Sequence, residues 1–123
     1  MPATKKRILC VDGNENINSM VADLLRELGH EPCAAADAEA ALGIARGEHI
    51  DLFIIDNRLP KGSGAELAER IREFAPHTPI IFYSNDPQRA VRSEARHAGA
   101  QAFVSKLDDI GGLADAVRRL LPD

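Results

Sequence analysis

Four polar residues of this chain follow closely on short apolar runs. Asp12 comes after Ile8-Leu9-Cys10-Val11, Asp56 after Leu52-Phe53-Ile54-Ile55, Ser84 after Ile80-Ile81-Phe82-Tyr83, and Lys106 just beyond Ala102-Phe103-Val104. Taken singly, an Asp or Ser there is a good turn or capping residue, and a Lys is readily solvated. Two carboxylates, a hydroxyl and an ammonium at one place suit a particular chemistry, phosphoryl transfer to a carboxylate. A carboxylate can act as nucleophile and hold an acyl phosphate. The transferring group spreads charge over oxygens that call for a cation, an ammonium and a hydroxyl donor. On this reading Asp56 is the nucleophile, Lys106 and Ser84 are donors, and Asp12 belongs to a divalent-metal site. Mg²⁺ suits that site because it binds one or two carboxylates and keeps several waters.

The four residues meet only if the elements behind them lie side by side. Strands are predicted at Ile8–Val11, Pro32–Ala35, Leu52–Ile55, Ile80–Tyr83 and Ala102–Val104, near-continuous apolar runs of the kind a sheet covered on both faces requires. Helices fall between them. Ile17, Met20, Val21, Leu24, Leu25 and Leu28 form one helical face closed by Gly29. Asp37 can cap a second helix ending near Gly47, and a third runs from about Gly64 to Phe74, with Leu67, Ala68, Ile71 and Phe74 inward. A fourth starts at Pro87 and stops at Gly99, and a fifth presents Ile110, Leu113, Ala114, Val117, Leu120 and Leu121. Strand and helix alternating in this way predict an α/β fold with right-handed crossovers and a doubly wound parallel sheet. Ligands of such sheets sit outside the carboxyl ends of the strands, where the four polar residues stand.

Composition narrows the function. A chain of 123 residues reads as a single domain, 1–123, long enough to bury a core. A net charge of −4 and the absence of Trp argue against a nucleic-acid surface. No apolar stretch approaches the ~20 residues of a membrane span, and the N-terminus lacks a signal-peptide core, so the expected location is the cytoplasm. Cys10 and Cys33 read as buried free thiols, and His30, His49, His77 and His97 as surface or loop residues with no ligand spacing. Gly62-Ser63-Gly64 lacks the third glycine of a dinucleotide loop and reads as a turn. Arg89, Arg92, Arg96 and His97 make the fourth helix basic and poor in large apolar anchors, a surface fitted to move or to meet an acidic partner.

From about Arg7 to Leu121 the chain resembles the receiver domain of bacterial two-component response regulators. The resemblance rests on "ILCVD", on "LFIIDNRLPKGSGAEL", and on "RIR", "PIIFYSN" and "AGAQAFVSK". It implies a flavodoxin-like doubly wound (βα)5 sandwich with its parallel five-stranded sheet in the order 2-1-3-4-5, and that Asp56 receives a phosphoryl group from a histidine kinase or phosphotransfer protein. It also implies that Ser84 and Phe103 form a switch pair, and that the backbone carbonyl of Arg58 joins Asp12 and Asp56 as a metal ligand. Output would pass to a downstream protein through the fourth helix, fifth strand and fifth helix, with no classical enzyme activity beyond the domain's own phosphorylation and dephosphorylation.

Three positions depart from the family pattern. Gly13 replaces a second acid that is normally a direct ligand, so Mg²⁺ binding is expected to be weak. Leu107 replaces a proline, which predicts a trans peptide after Lys106 and either a displaced lysine or a shifted loop. Asn85 replaces a small residue after the switch hydroxyl. The alternative these departures suggest is a pseudo-receiver, a protein-binding module of the same fold whose output ignores phosphate.

Overall fold

A run of Ile, Leu and Val without alternation is stable as a strand where both its faces are covered. The computed structural model describes residues 5–85, 96, 98–107 and 110–122. In chain order its elements are β1 (Arg7–Val11), α1 (Glu15–Glu27), β2 (Glu31–Ala35), α2 (Ala38–Gly47) and β3 (Leu52–Ile55). There follow a hairpin of β4 (Arg58–Leu59) and β5 (Gly62–Ser63), then α3 (Gly64–Phe74), β6 (Ile80–Ser84), β7 (Ala102–Ser105) and α4 (Gly111–Leu120). The large sheet is parallel, in the order β2-β1-β3-β6-β7. That is the predicted 2-1-3-4-5 order, with β6 and β7 as fourth and fifth strands. α4 is the helix expected as the fifth; the expected fourth, Pro87 to Gly99, lies almost wholly outside the described residues.

Two apolar layers sandwich the sheet. On one face Leu9, Val11, Phe53, Ile55, Ile80 and Phe82 pack with Leu42 of α2 and Leu67 and Ile71 of α3. On the other, Ile8, Cys10, Leu52, Ile54, Ile81 and Tyr83 pack with Val21 and Leu25 of α1 and Leu113 and Val117 of α4. Each fully buried Ile, Leu or Phe contributes roughly 1.5–3 kcal/mol relative to exposure, and this double layer supplies the rigidity the strand ends need.

The helix starts follow their capping residues. Asn14 accepts from the amides of Asn16 and Ile17, Asp37 from that of Ala40, and Ser63 from that of Glu66. Ser63 also donates its hydroxyl to the Glu66 carboxylate at 3.4 Å. Gly29 ends α1 at a φ of +87°, a left-handed position that favours glycine.

Several expected surfaces are corrected. Met20 and Phe74, placed inward by their periodicity, are each 41% exposed. Asn18 takes the inner position of α1 instead of Met20, three residues before Val21. Phe74 lies at a helix end, where the Arg46 guanidinium sits 5.9 Å from its ring centroid. His30 is buried rather than superficial, its Nδ1 accepting from the Lys6 amide at 3.2 Å. Cys10 is buried as expected, with burial pushing its thiol up to about 12, whereas Cys33, near the exposed edge of the sheet, is only half-buried.

Candidate functional site

The ends of β1 and β3 are neighbours, so the residues that follow them are too. The Asp12 amide continues the ladder to the Ala35 carbonyl (3.1 Å), and the Asp56 amide continues it to the Val11 carbonyl (3.0 Å). The Asp56 backbone is then held from the other side by α3. A Cβ on Gly64 would stand 2.2 Å from the Asp56 carbonyl oxygen, so any side chain here would displace the acid. The Gly64 amide donates to the Asn57 carbonyl at 2.8 Å. The hairpin between β3 and α3, which the sequence did not mark, turns through Lys61 at a φ of +64°.

Lys106 completes the group. Its Nζ lies 2.5 Å from Asp12 Oδ2 and 3.3 Å from Asp56 Oδ2. The three side chains are only 7%, 5% and 16% exposed, respectively. The peptide after Lys106 is trans, as expected, and the ammonium sits nearer to Asp12 than to Asp56 while still reaching both. The Lys106 amide donates to the Ser84 carbonyl at 2.8 Å, tying the end of β7 to the end of β6. Leu107, beside it, is 70% exposed.

The electrostatics follow from burial and from these neighbours. Burial raises the Asp56 carboxyl above its ordinary pKa; Lys106 opposes this and the charge of Asp12 adds to it. Burial disfavours the Lys106 ammonium, but its hydrogen bond to Asp12 and the charges of Asp56 and Asp12 outweigh burial and hold its pKa above the ordinary value. One Asp12 oxygen also accepts from the Asn14 amide at 2.8 Å. The Arg58 amide donates to the Asp56 carboxylate, which brings that stretch of backbone to the acid.

All the oxygens available here are hard donors, two carboxylates and the nearby backbone carbonyls. They fit Mg²⁺ in kind, with waters completing the shell. Among the described residues no three acidic, histidine or cysteine side chains converge as a metal set. Gly13 supplies no ligand, and a Cβ there would meet the Pro60 ring at 3.2 and 3.3 Å. Glu15, the nearest acid in sequence, is exposed in the first turn of α1, where the helix dipole favours it.

Of the predicted residues, the structure thus brings Asp12, Asp56 and Lys106 into contact and puts Ser84, fully buried, on the adjoining strand. Phe103 is half-buried opposite Phe82 and packs against the α2–α3 layer. Two residues escaped the sequence reading. Asn18 Nδ2 donates to the carbonyls of Asp12 (2.9 Å) and Ala35 (3.3 Å), and its Oδ1 accepts from the Cys10 thiol (3.1 Å). Asn57 Oδ1 accepts from the Ser84 hydroxyl. The first could have been found from its offset to Val21; the second depends on strand register.

The chain matches the family model of the response regulator receiver domain over residues 8–118. It is 27% identical over 120 residues to the polar-differentiation response regulator DivK of Brucella ovis, covering 96% of this chain and 98% of that one. Among solved structures, the chemotaxis protein CheY4 of Vibrio cholerae superposes with a TM-score of 0.90 at 27% identity, over 96% of this chain and all of the other. The response regulator TrrA of Thermotoga maritima, solved in complex with Mg²⁺-BeF, does so with a TM-score of 0.85 at 33% identity, over 94% and 99%. The match spans nearly every element that builds the pocket, and the chain belongs to the receiver domains of two-component response regulators.

Proposed function

We propose that Asp56 is the phosphoacceptor of this receiver and that Lys106 and Ser84 are its catalytic partners. The observation that carries the reading is the buried ammonium of Lys106 bridging Asp12 and Asp56. A carboxylate oxygen of Asp56 attacks the phosphorus of a phosphohistidine on a histidine kinase or phosphotransfer protein. The P–N bond breaks as the P–O bond forms, and the leaving imidazole takes a proton from solvent. Lys106 balances charge on the phosphoryl oxygens, and the Ser84 hydroxyl donates to one of them. Ser84, with Phe103 behind it on β7, then reports the event to the face formed by the expected fourth helix, β7 and α4, where a downstream protein binds. The domain acts in the cytoplasm as a signalling module and catalyses at most its own phosphorylation and dephosphorylation.

Asp12, Asp56 and the Arg58 carbonyl would hold Mg²⁺, which when bound neutralises charge on the transferring group. Its binding is weak, because two carboxylates shared with one ammonium leave a single net negative charge and Gly13 adds none. The phosphate-blind alternative is not favoured, since both acids and the lysine are present and in contact. Intact mass after incubation with a small phosphodonor and Mg²⁺ tests the reading. Wild type should gain one phosphoryl group and Asp56→Asn none; an unchanged gain in the variant would remove Asp56 from its role.

A further inference from the structure

β3 and β6 pair in the register Phe53↔Ile80, Ile54↔Ile81 and Ile55↔Phe82. Continued past the strand end, that register sets Asp56 beside Tyr83 and Asn57 beside Ser84. The Asn57 backbone is fixed there by the Gly64 amide, and its Oδ1 accepts the Ser84 hydroxyl. The Ser84 backbone is fixed in turn by the Lys106 amide. The side-chain bond therefore joins two anchored residues, one following the acceptor and one carrying the switch hydroxyl.

We propose that Asn57 is a positioning residue that holds the Ser84 hydroxyl in the phosphoryl-free state and so sets how readily the site accepts a phosphoryl group. The inference rests on Asp56 as phosphoacceptor. A serine hydroxyl carries one proton to donate. Donated to Asn57, it is withheld from a phosphoryl oxygen on Asp56; donated to that oxygen, it releases Asn57. The second bond is charge-assisted and the stronger of the two, so the exchange runs forward on phosphorylation, but the neutral bond must first be given up. Asn57 is half-buried, and its amide can be solvated once released. Binding of a phosphoryl group and the Asn57–Ser84 bond thus oppose each other by linkage.

The test is the affinity of beryllofluoride, a phosphoryl mimic, measured by fluorine NMR at saturating Mg²⁺ on wild type, Asn57→Ala, Ser84→Ala and the double variant. Asn57→Ala should tighten binding about fivefold, the ratio that loss of one competing neutral hydrogen bond of roughly 1 kcal/mol gives. In the Ser84→Ala background the same change should do nothing. Asn57→Ser, too short to reach, should behave like Asn57→Ala and serves if the latter folds poorly. A role confined to folding would weaken binding, so unchanged or weaker binding in Asn57→Ala overturns the proposal, as does a fivefold gain that persists without the Ser84 hydroxyl. Absence of beryllofluoride binding in wild type and all variants strikes the phosphoacceptor reading itself, and this proposal with it.

Discussion

The two ends of the sheet treat charge in opposite ways. At the amino ends of the strands, Arg7 pairs with Glu31 at 3.3 Å and Glu48 at 2.7 Å, all largely in solvent. Asp51 accepts from the Arg7 amide and lies 2.9 Å from His49 Nε2. Nearby, the Arg72 guanidinium donates to the carbonyls of Ala75, Thr78 and Gly99 and to Gln101 Oε1, at 2.6 to 3.0 Å, stitching α3 to the entries of β6 and β7. Each acceptor there is a structural partner. At the carboxyl ends, two carboxylates share one ammonium and are kept from water. One end spends its charges on holding loops, and the other keeps a partly buried acid above its ordinary pKa, an arrangement that costs stability and suits chemistry.

Arg72→Ala should produce the largest loss of stability, about 3 kcal/mol, since a guanidinium bonded to several carbonyls is removed together. Denaturant midpoints compared with those of Arg7→Ala check this. The Arg7 pairs sit in solvent and should matter far less. A larger effect from Arg7 would break the assignment of stability to the clamp.

At the other end, Gly13→Asp should tighten Mg²⁺ by about tenfold, equivalent to ~1.4 kcal/mol, and speed phosphorylation. The Pro60 ring must give by a few tenths of an ångström to admit the new Cβ. Calorimetric titration of both proteins decides it, and equal affinities would mean that packing against Pro60, rather than metal affinity, accounts for Gly13.

The smallest effect belongs to Asp51. Burial raises its carboxyl, but the Arg7 amide and His49 outweigh burial and hold its pKa below the ordinary value. A carboxyl lowered on folding contributes stability in full above its unfolded pKa of about 3.9, and loses it as pH falls through the lower folded value. Asp51→Asn should therefore lower stability slightly at neutral pH, leave it nearly unchanged once the pH is below the folded value, and so flatten the acid limb below about pH 4. An unaltered acid limb would contradict the reading of this end as the one that stabilises.

The sandwich was legible because its strands are unbroken apolar runs and its helices carry caps such as Asp37 and a stop at Gly29. The hairpin of β4 and β5 was not, because two-residue strands leave no periodicity to read. Asp12, Asp56 and Lys106 were legible as a group once the strands were parallel, since each apolar run delivers its polar neighbour to one edge. Asn57 was not, because a polar residue after a strand reads as a turn, and its contact with Ser84 exists only through the pairing of β3 with β6. Asn18 and His30 show the same limit within the core: a buried polar side chain looks like a surface one until its partners are placed.

The central claim is that the partly buried acid after β3 supplies the oxygen of the new P–O bond. An acyl phosphate on aspartate is reduced by borohydride to homoserine, which marks the acceptor permanently. Wild-type protein treated with a phosphodonor and Mg²⁺, then borohydride, and mapped by peptide mass spectrometry should carry homoserine at position 56 alone. Homoserine at position 12, or a phosphoryl gain in intact mass with position 56 unmodified, would contradict the account.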